Sequence, residues 1–197
     1  MKIKIPHNLN KEELKCFNEI VSPQLKEIYT YTYDCYQFKH LTILISKDAF
    51  PETAQKPNIE DVKIILNQVP DQFLSSISEI YFVSYHCKED HNKIIKGRTL
   101  PLIYTILIYP KSYSQLKIVL FHETGHVFFE KKLSKDLKRQ FAILLLKTFS
   151  TVKFSSLEGY SHFIKEEFAH CFENYLNNPN RLKKYSLLYE FFITHFK

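Results

Sequence analysis

An α+β fold is what the hydrophobic patterning of this chain predicts, on three observations. Runs rich in β-branched and aromatic residues at 41–46 (LTILIS), 79–85 (EIYFVSY) and 104–109 (YTILIY) read as strands, and all fall in the first 110 residues. Apolar residues then recur at helical spacing through most of 111–197. No repeat, low-complexity tract or linker interrupts the 197 residues. A single domain is therefore expected, with helices and a small mixed sheet over 1–110 and helices over 111–197.

Each element has its own local reason. Asn10 with Glu13 three residues later forms a capping box, predicting a helix to Val21. Pro23 suits a first helical turn, and Leu25, Ile28, Tyr29, Thr32 and Tyr36 share one face, which extends a second helix to Gln37. The strand 41–46 follows. Beyond the turn at Phe50-Pro51, Asn58 caps a helix expected over 59–68, and Pro70 introduces a short one over 71–76. After the second strand, 86–91 (HCKEDH) reads as a polar surface loop and 93–98 as a short strand. The third strand stops at Pro110. Helices are then expected over 114–131, 134–150, 161–177 and 181–196, with Asn177-Asn178-Pro179 as the break before the last.

Composition narrows the partners. At 45% hydrophobic and 24% charged the chain has the make-up of a folded soluble protein, with 17 Phe and 13 Tyr to supply an aromatic core. The net charge is +6, yet only Arg98, Arg139 and Arg181 are arginines among 27 basic residues, and the lysines are scattered. With no helix-turn-helix, zinc-finger or RNA-binding signature beside them, they read as solvated faces, so no nucleic acid partner is expected. The four cysteines (Cys16, Cys35, Cys87 and Cys171) form no Cys-x-x-Cys pair, which points to free thiols in a reducing compartment. No signal-peptide core and no apolar run of about 18 residues is present. The expectation is a soluble protein, cytoplasmic as written and without a membrane partner; a secreted chain trimmed of its leader would read the same way.

The chemistry concentrates at His122-Glu123-Thr124-Gly125-His126. Residues four apart on a helix share a face, so His122 and His126 can both present a ring nitrogen to one zinc ion. Glu123 lies beside them, where a carboxylate can take a proton from a water polarised by the metal. Gly125 adds weight. A helix-interior glycine costs about 1 kcal/mol relative to alanine, and in a chain with three glycines its placement implies a close approach by another backbone or a substrate. A catalytic zinc takes three protein ligands, so a third must come from elsewhere. Glu166-Glu167-Phe168-Ala169-His170 on the late helix is the best source, but Glu166 and Glu167 border its apolar face on opposite sides, and periodicity does not choose between them.

His-Glu-x-x-His followed about forty residues later by a helix reading Glu-x-x-Ala resembles the gluzincin class of zinc peptidases. More narrowly, the residues Glu166, Phe168, Ala169, His170 and Phe172, then 178–185 (NPNRLKKY) and 189–192 (YEFF), are similar to the catalytic domain of anthrax lethal factor and to the Pro-Pro endopeptidases. The resemblance runs from about Tyr104 to the C-terminus. It implies a zincin-like fold and a zinc metalloendopeptidase acting on a peptide or protein substrate. His122, His126 and Glu166 would hold one Zn²⁺, and Glu123 would be the general base. Tyr160 would hydrogen-bond the oxyanion, although it stands six residues before Glu166 rather than the family's seven. His170 stands where relatives carry an acid; it could assist at the oxyanion, orient a zinc ligand or be a ligand. In that class an edge strand just before the motif helix pairs with extended substrate, a role that would fall to 104–109. The two departures motivate a different expectation as well, a zinc-stabilised binding or regulatory domain that keeps the fold without catalysis.

Overall fold

The computed structural model describes residues 7–51, 56–85, 96–109, 115–151, 154 and 156–196. The loop expected at 86–91, and Cys87 in it, lie outside these residues. The architecture is mixed, with a five-stranded sheet early in the chain and helices late. The chain packs as two compact units, Met1–Leu120 and Phe121–Lys197.

In the first unit, Asn10 caps helix α1 (Lys11–Cys16) through both bonds of a capping box, each 2.9 Å long. A π-helical turn (Phe17–Val21) joins it to α2 (Ser22–Ile28), which ends nine residues short of the predicted Gln37. Residues 33–38 are instead strand β1 (Tyr33–Phe38), paired antiparallel with β2 (Leu41–Ser46). The helical face read across Thr32 and Tyr36 was an accident of spacing. The Tyr-rich segment favours a half-exposed strand, and Lys39, at φ 53, turns it back onto its neighbour without a glycine. Helices α3 (Ile59–Leu66), capped by Asn58, and α4 (Asp71–Leu74) precede strands β3 (Glu79–Phe82), β4 (Gly97–Leu100) and β5 (Thr105–Ile108).

The sheet order is β1-β2-β3-β5-β4, with β2, β3 and β5 parallel at its centre and antiparallel strands at both edges. Every residue of β2 and β5 is buried, as a parallel centre covered on both faces requires. This corrects the edge assignment for 104–109: β5 is internal, its hydrogen-bonding groups are taken by β3 and β4, and the edge on that side is β4. Strand order is set by non-local pairing, which a single strand's residues do not encode.

The second unit begins inside α5 (Leu116–Lys131) and continues through α6 (Lys135–Thr148), α7 (Leu157–Asn177), α8 (Pro179–Lys183) and α9 (Ser186–His195). Ser134 and Ser156 cap α6 and α7 by accepting the amides of Leu137 and Gly159. The Ser156 cap starts α7 four residues before the expected 161, so Tyr160 belongs to its first turn. Phe168 on α7 is the centre of the core, with its ring centroid 5.0, 5.1 and 5.4 Å from those of Phe129, Phe141 and Phe192. Fully burying one such side chain contributes about 1.5–3 kcal/mol, and the edge-on and tilted contacts add to it. Among the described residues no helix is long and apolar enough to cross a membrane.

Cys16, Cys35 and Cys171 are free thiols. Burial pushes the Cys171 thiol up to about 12, whereas Cys35 lies exposed on β1. Iodoacetamide near neutral pH is therefore expected to alkylate Cys35 and to spare Cys171 until denaturant is added, read by peptide mass spectrometry.

Candidate metal centre

The centre is built by two helices of the second unit, and their approach is set by one residue. A β-carbon on Gly125 would stand 3.0 Å from the Ala169 α-carbon and 3.2 Å from the Phe172 β-carbon. Gly125 thus removes the side chain that would hold α7 off α5. Of the reasons a helix tolerates an interior glycine, close approach by another backbone is the one realised here. Phe128 and Phe129 on α5 pack against Phe172 and Phe168 on α7 and hold the pair together.

One turn of α5 presents His122 and His126 side by side, with their Nε2 atoms 3.1 Å apart. The Glu166 carboxylate on α7 faces both, Oε2 at 3.5 Å from His122 Nε2 and Oε1 at 3.4 Å from His126 Nε2. The three residues are each partly buried and could hold a metal ion. Glu167 takes the other direction and lines a cavity of about 390 Å³ with His170, Cys171, Arg181 and Tyr185. Between the two acids, only Glu166 reaches the histidines.

Electrostatics suits the three donors to a cation. Burial holds His126 far below the usual imidazole range, down to about 3, so its ring is neutral at physiological pH and keeps a lone pair. Glu166 is held down to about 2, chiefly by its hydrogen bond with His122, while its own burial works the other way. The set is therefore an anion beside neutral imidazole nitrogen, the protonation state that metal ligation requires.

Glu123, one residue along from His122, is buried, and Thr124 beside it is fully so. Tyr160 is half-buried; among the described residues its ring packs edge-on to Phe154 at 5.1 Å and its amide bonds Ser156, and none of the three donors is among its contacts. His170 stays out of the first donor set. Its ring lies 4.6 Å from that of His122, tilted by 56°, and its Nδ1 is 4.0 Å from Glu173 Oε2.

Two residues near the donors escaped the sequence reading. His162 places Nδ1 3.9 Å from Glu166 Oε1, and the buried Glu173 pairs with His170. Both were within reach of helical spacing, since His162, Glu166, His170 and Glu173 follow one another at intervals of four, four and three. Glu173 was hidden because Phe172, Tyr175 and Leu176 mark that stretch as apolar face. No protein-family model matches the chain, and no curated protein does.

Gly125→Ala is expected to gain about 1 kcal/mol of helix propensity and to lose about 1–3 kcal/mol to overpacking against backbone that has little room to yield. The net result is a lower urea midpoint, together with weaker metal binding because Glu166 is pushed from the histidines. The pH dependence follows from signs that agree. Both folded values are depressed, so the contribution of His126 is complete above 6.5 and lost towards 3, and that of Glu166 is complete above 4.5 and lost towards 2. Their share of the urea midpoint of chelator-treated protein is read as the difference from a His126→Ala, Glu166→Gln double variant. It should fall as pH is lowered from about 7 to about 4, while His170, raised by Glu173, works the other way.

Proposed function

We propose that this chain is a zinc-dependent metallopeptidase of the gluzincin type, with a zincin-like fold. One observation carries the reading: the nitrogens of His122 and His126 and the oxygens of Glu166 stand 3.1–3.5 Å from one another. Donors bonded at about 2.0–2.1 Å to a tetrahedral ion are separated by roughly 3.3–3.4 Å, which this set matches. Three protein donors of this kind, two imidazoles and a carboxylate, leave a fourth position for chemistry.

The assignment of roles follows. His122, His126 and Glu166 hold the ion. When bound, Zn²⁺ supplies Lewis acidity, lowering the pKa of water and polarising a carbonyl. Glu123 takes the proton of the attacking water at a carboxylate oxygen and returns it to the departing amine nitrogen. Glu123 is buried one residue along from His122. Tyr160 is the residue that the family likeness assigns to the oxyanion; its hydroxyl would donate there.

The contacts of Tyr160 with Phe154 and Ser156, rather than with the donors, favour a second reading, a metal-stabilised binding domain of the same fold. Both readings expect bound zinc, and turnover separates them. Glu123→Gln is expected to keep the metal and to lower peptide hydrolysis by at least about 100-fold, in line with loss of a general base. The measurement is cleavage of a mixed peptide library, with and without chelator, beside metal content by mass spectrometry. Undiminished hydrolysis by the Glu123→Gln protein would overturn the assignment of the base. No chelator-sensitive hydrolysis by the parent protein at any pH would favour the binding domain.

A further inference from the structure

We propose that the cavity of about 390 Å³ lined by the end of α6, by α7 and by α8 is a subsite for a carboxylate of the peptide ligand, supplied by an acidic side chain or by a chain terminus. The inference rests on the peptidase reading for the nature of that ligand and adds a preference to it. The whole lining belongs to the second unit. Glu167, His170 and Asn174 fall at helical spacing on α7, so one face of that helix makes one wall. Arg181 of α8, with Lys184 and Tyr185 just beyond it, makes the other.

Charge decides what this space takes. Two basic side chains, Arg181 and Lys184, line it against one acid, Glu167. Among the described residues neither base forms an ion pair; Lys184 holds its ammonium 4.9 Å from the Tyr185 ring centroid. Glu167 can balance one of the two, which leaves one positive charge for a ligand. The bases stand on the α8 wall and the acid on the α7 wall, so an incoming carboxylate is drawn to the α8 side. The planar fork of Arg181 suits it, since a guanidinium can donate to both carboxylate oxygens at once. Phe149 and Tyr185, with ring centroids 5.3 Å apart, offer apolar surface to the methylene stem of an acidic side chain.

Position ties the cavity to the three donors. Glu167 adjoins Glu166 in the chain, and His170, which lines the cavity, has its ring 4.6 Å from that of His122. The space therefore begins roughly one helical turn, about 5.4 Å, from the candidate metal centre. An extended peptide advances about 3.3 Å per residue. A carboxylate held at Arg181 would thus belong to a residue about one to three positions from a carbonyl at the donors. Arg181 and Lys184 are both exposed, so water competes for them and the preference is modest, about three- to tenfold.

The test is fluorescence anisotropy with labelled alanine-based peptides and the full chain carrying Glu123→Gln, with Zn²⁺ present, so that the peptides are not consumed. One peptide has a central Glu and an amidated C-terminus, one is its Gln twin, and one is the Gln peptide with a free C-terminal carboxylate. A Glu peptide bound about three- to tenfold more tightly than its twin assigns the subsite to an acidic side chain; the same gain for the free carboxylate assigns it to a chain terminus. Adding Arg181→Gln and Lys184→Gln together should abolish the gain, and circular dichroism verifies that the variant is folded. Lys183→Gln, on α8 but outside the lining, should keep it. Equal affinity for all three peptides overturns the proposal, as does a gain that survives the double replacement or is lost in Lys183→Gln. The peptidase reading fails separately: absence of chelator-sensitive hydrolysis by the parent protein counts against it alone and leaves these affinities to judge the subsite.

Discussion

The candidate metal centre depends on the contact between Gly125 and Ala169. Two helices at this closeness leave no space for a β-carbon, and the contact point lies within a turn of His122, His126 and Glu166. Carboxylate side chains are short. Were α7 displaced outward by the width of a methyl group, Glu166 would no longer hold both oxygens about 3.5 Å from two imidazoles. The glycine therefore costs helix propensity locally and obtains donor geometry in return, and the Phe128, Phe129, Phe168 and Phe172 contacts supply the packing energy that offsets the loss. Sequence, packing and chemistry meet at that one position.

Much of this centre was legible before any coordinates, for reasons that can be named. An i,i+4 pair of histidines is a local feature, and helical geometry alone puts both rings on one side. Asn10 and Asn58 were equally readable, because a cap is made by a side chain and an amide two or three residues away. The choice between Glu166 and Glu167 was not readable. Both border the apolar face, and only the rotation of α7 against α5 sends one to the histidines and the other into the cavity beside Arg181. That rotation is fixed by the Phe168 cluster, whose partners lie up to 39 residues upstream and 28 downstream by their numbers.

The failures in the first unit have the same character. Residues 33–38 carry tyrosines at spacings that satisfy a helix as well as a strand, and the pairing with β2 decided between them. The turn that allows this pairing rests on Lys39 in the left-handed region, a conformation that its residue type gives no hint of. Likewise, 104–109 was recognisable as a strand but not as an internal one. A fully apolar run is compatible with a sheet centre, and the burial of all four β5 residues shows that two-sided cover is what the run was for. Local chemistry names the elements; neighbours assign their places.

The electrostatic state of the donors follows from the same packing. Burying two imidazoles next to a carboxylate penalises added protons on His126 and leaves Glu166 ionised, so the unliganded set has one negative charge and too few protons to share. With Nε2 atoms 3.1 Å apart, a hydrogen must lie between or beside the two rings to prevent facing lone pairs. A divalent cation resolves this crowding better than a proton does, because one ion can face all three donors at once. The arrangement that makes the three donors sensitive to acid is therefore also the one that could hold a cation, and both trace back to how tightly α7 sits on α5.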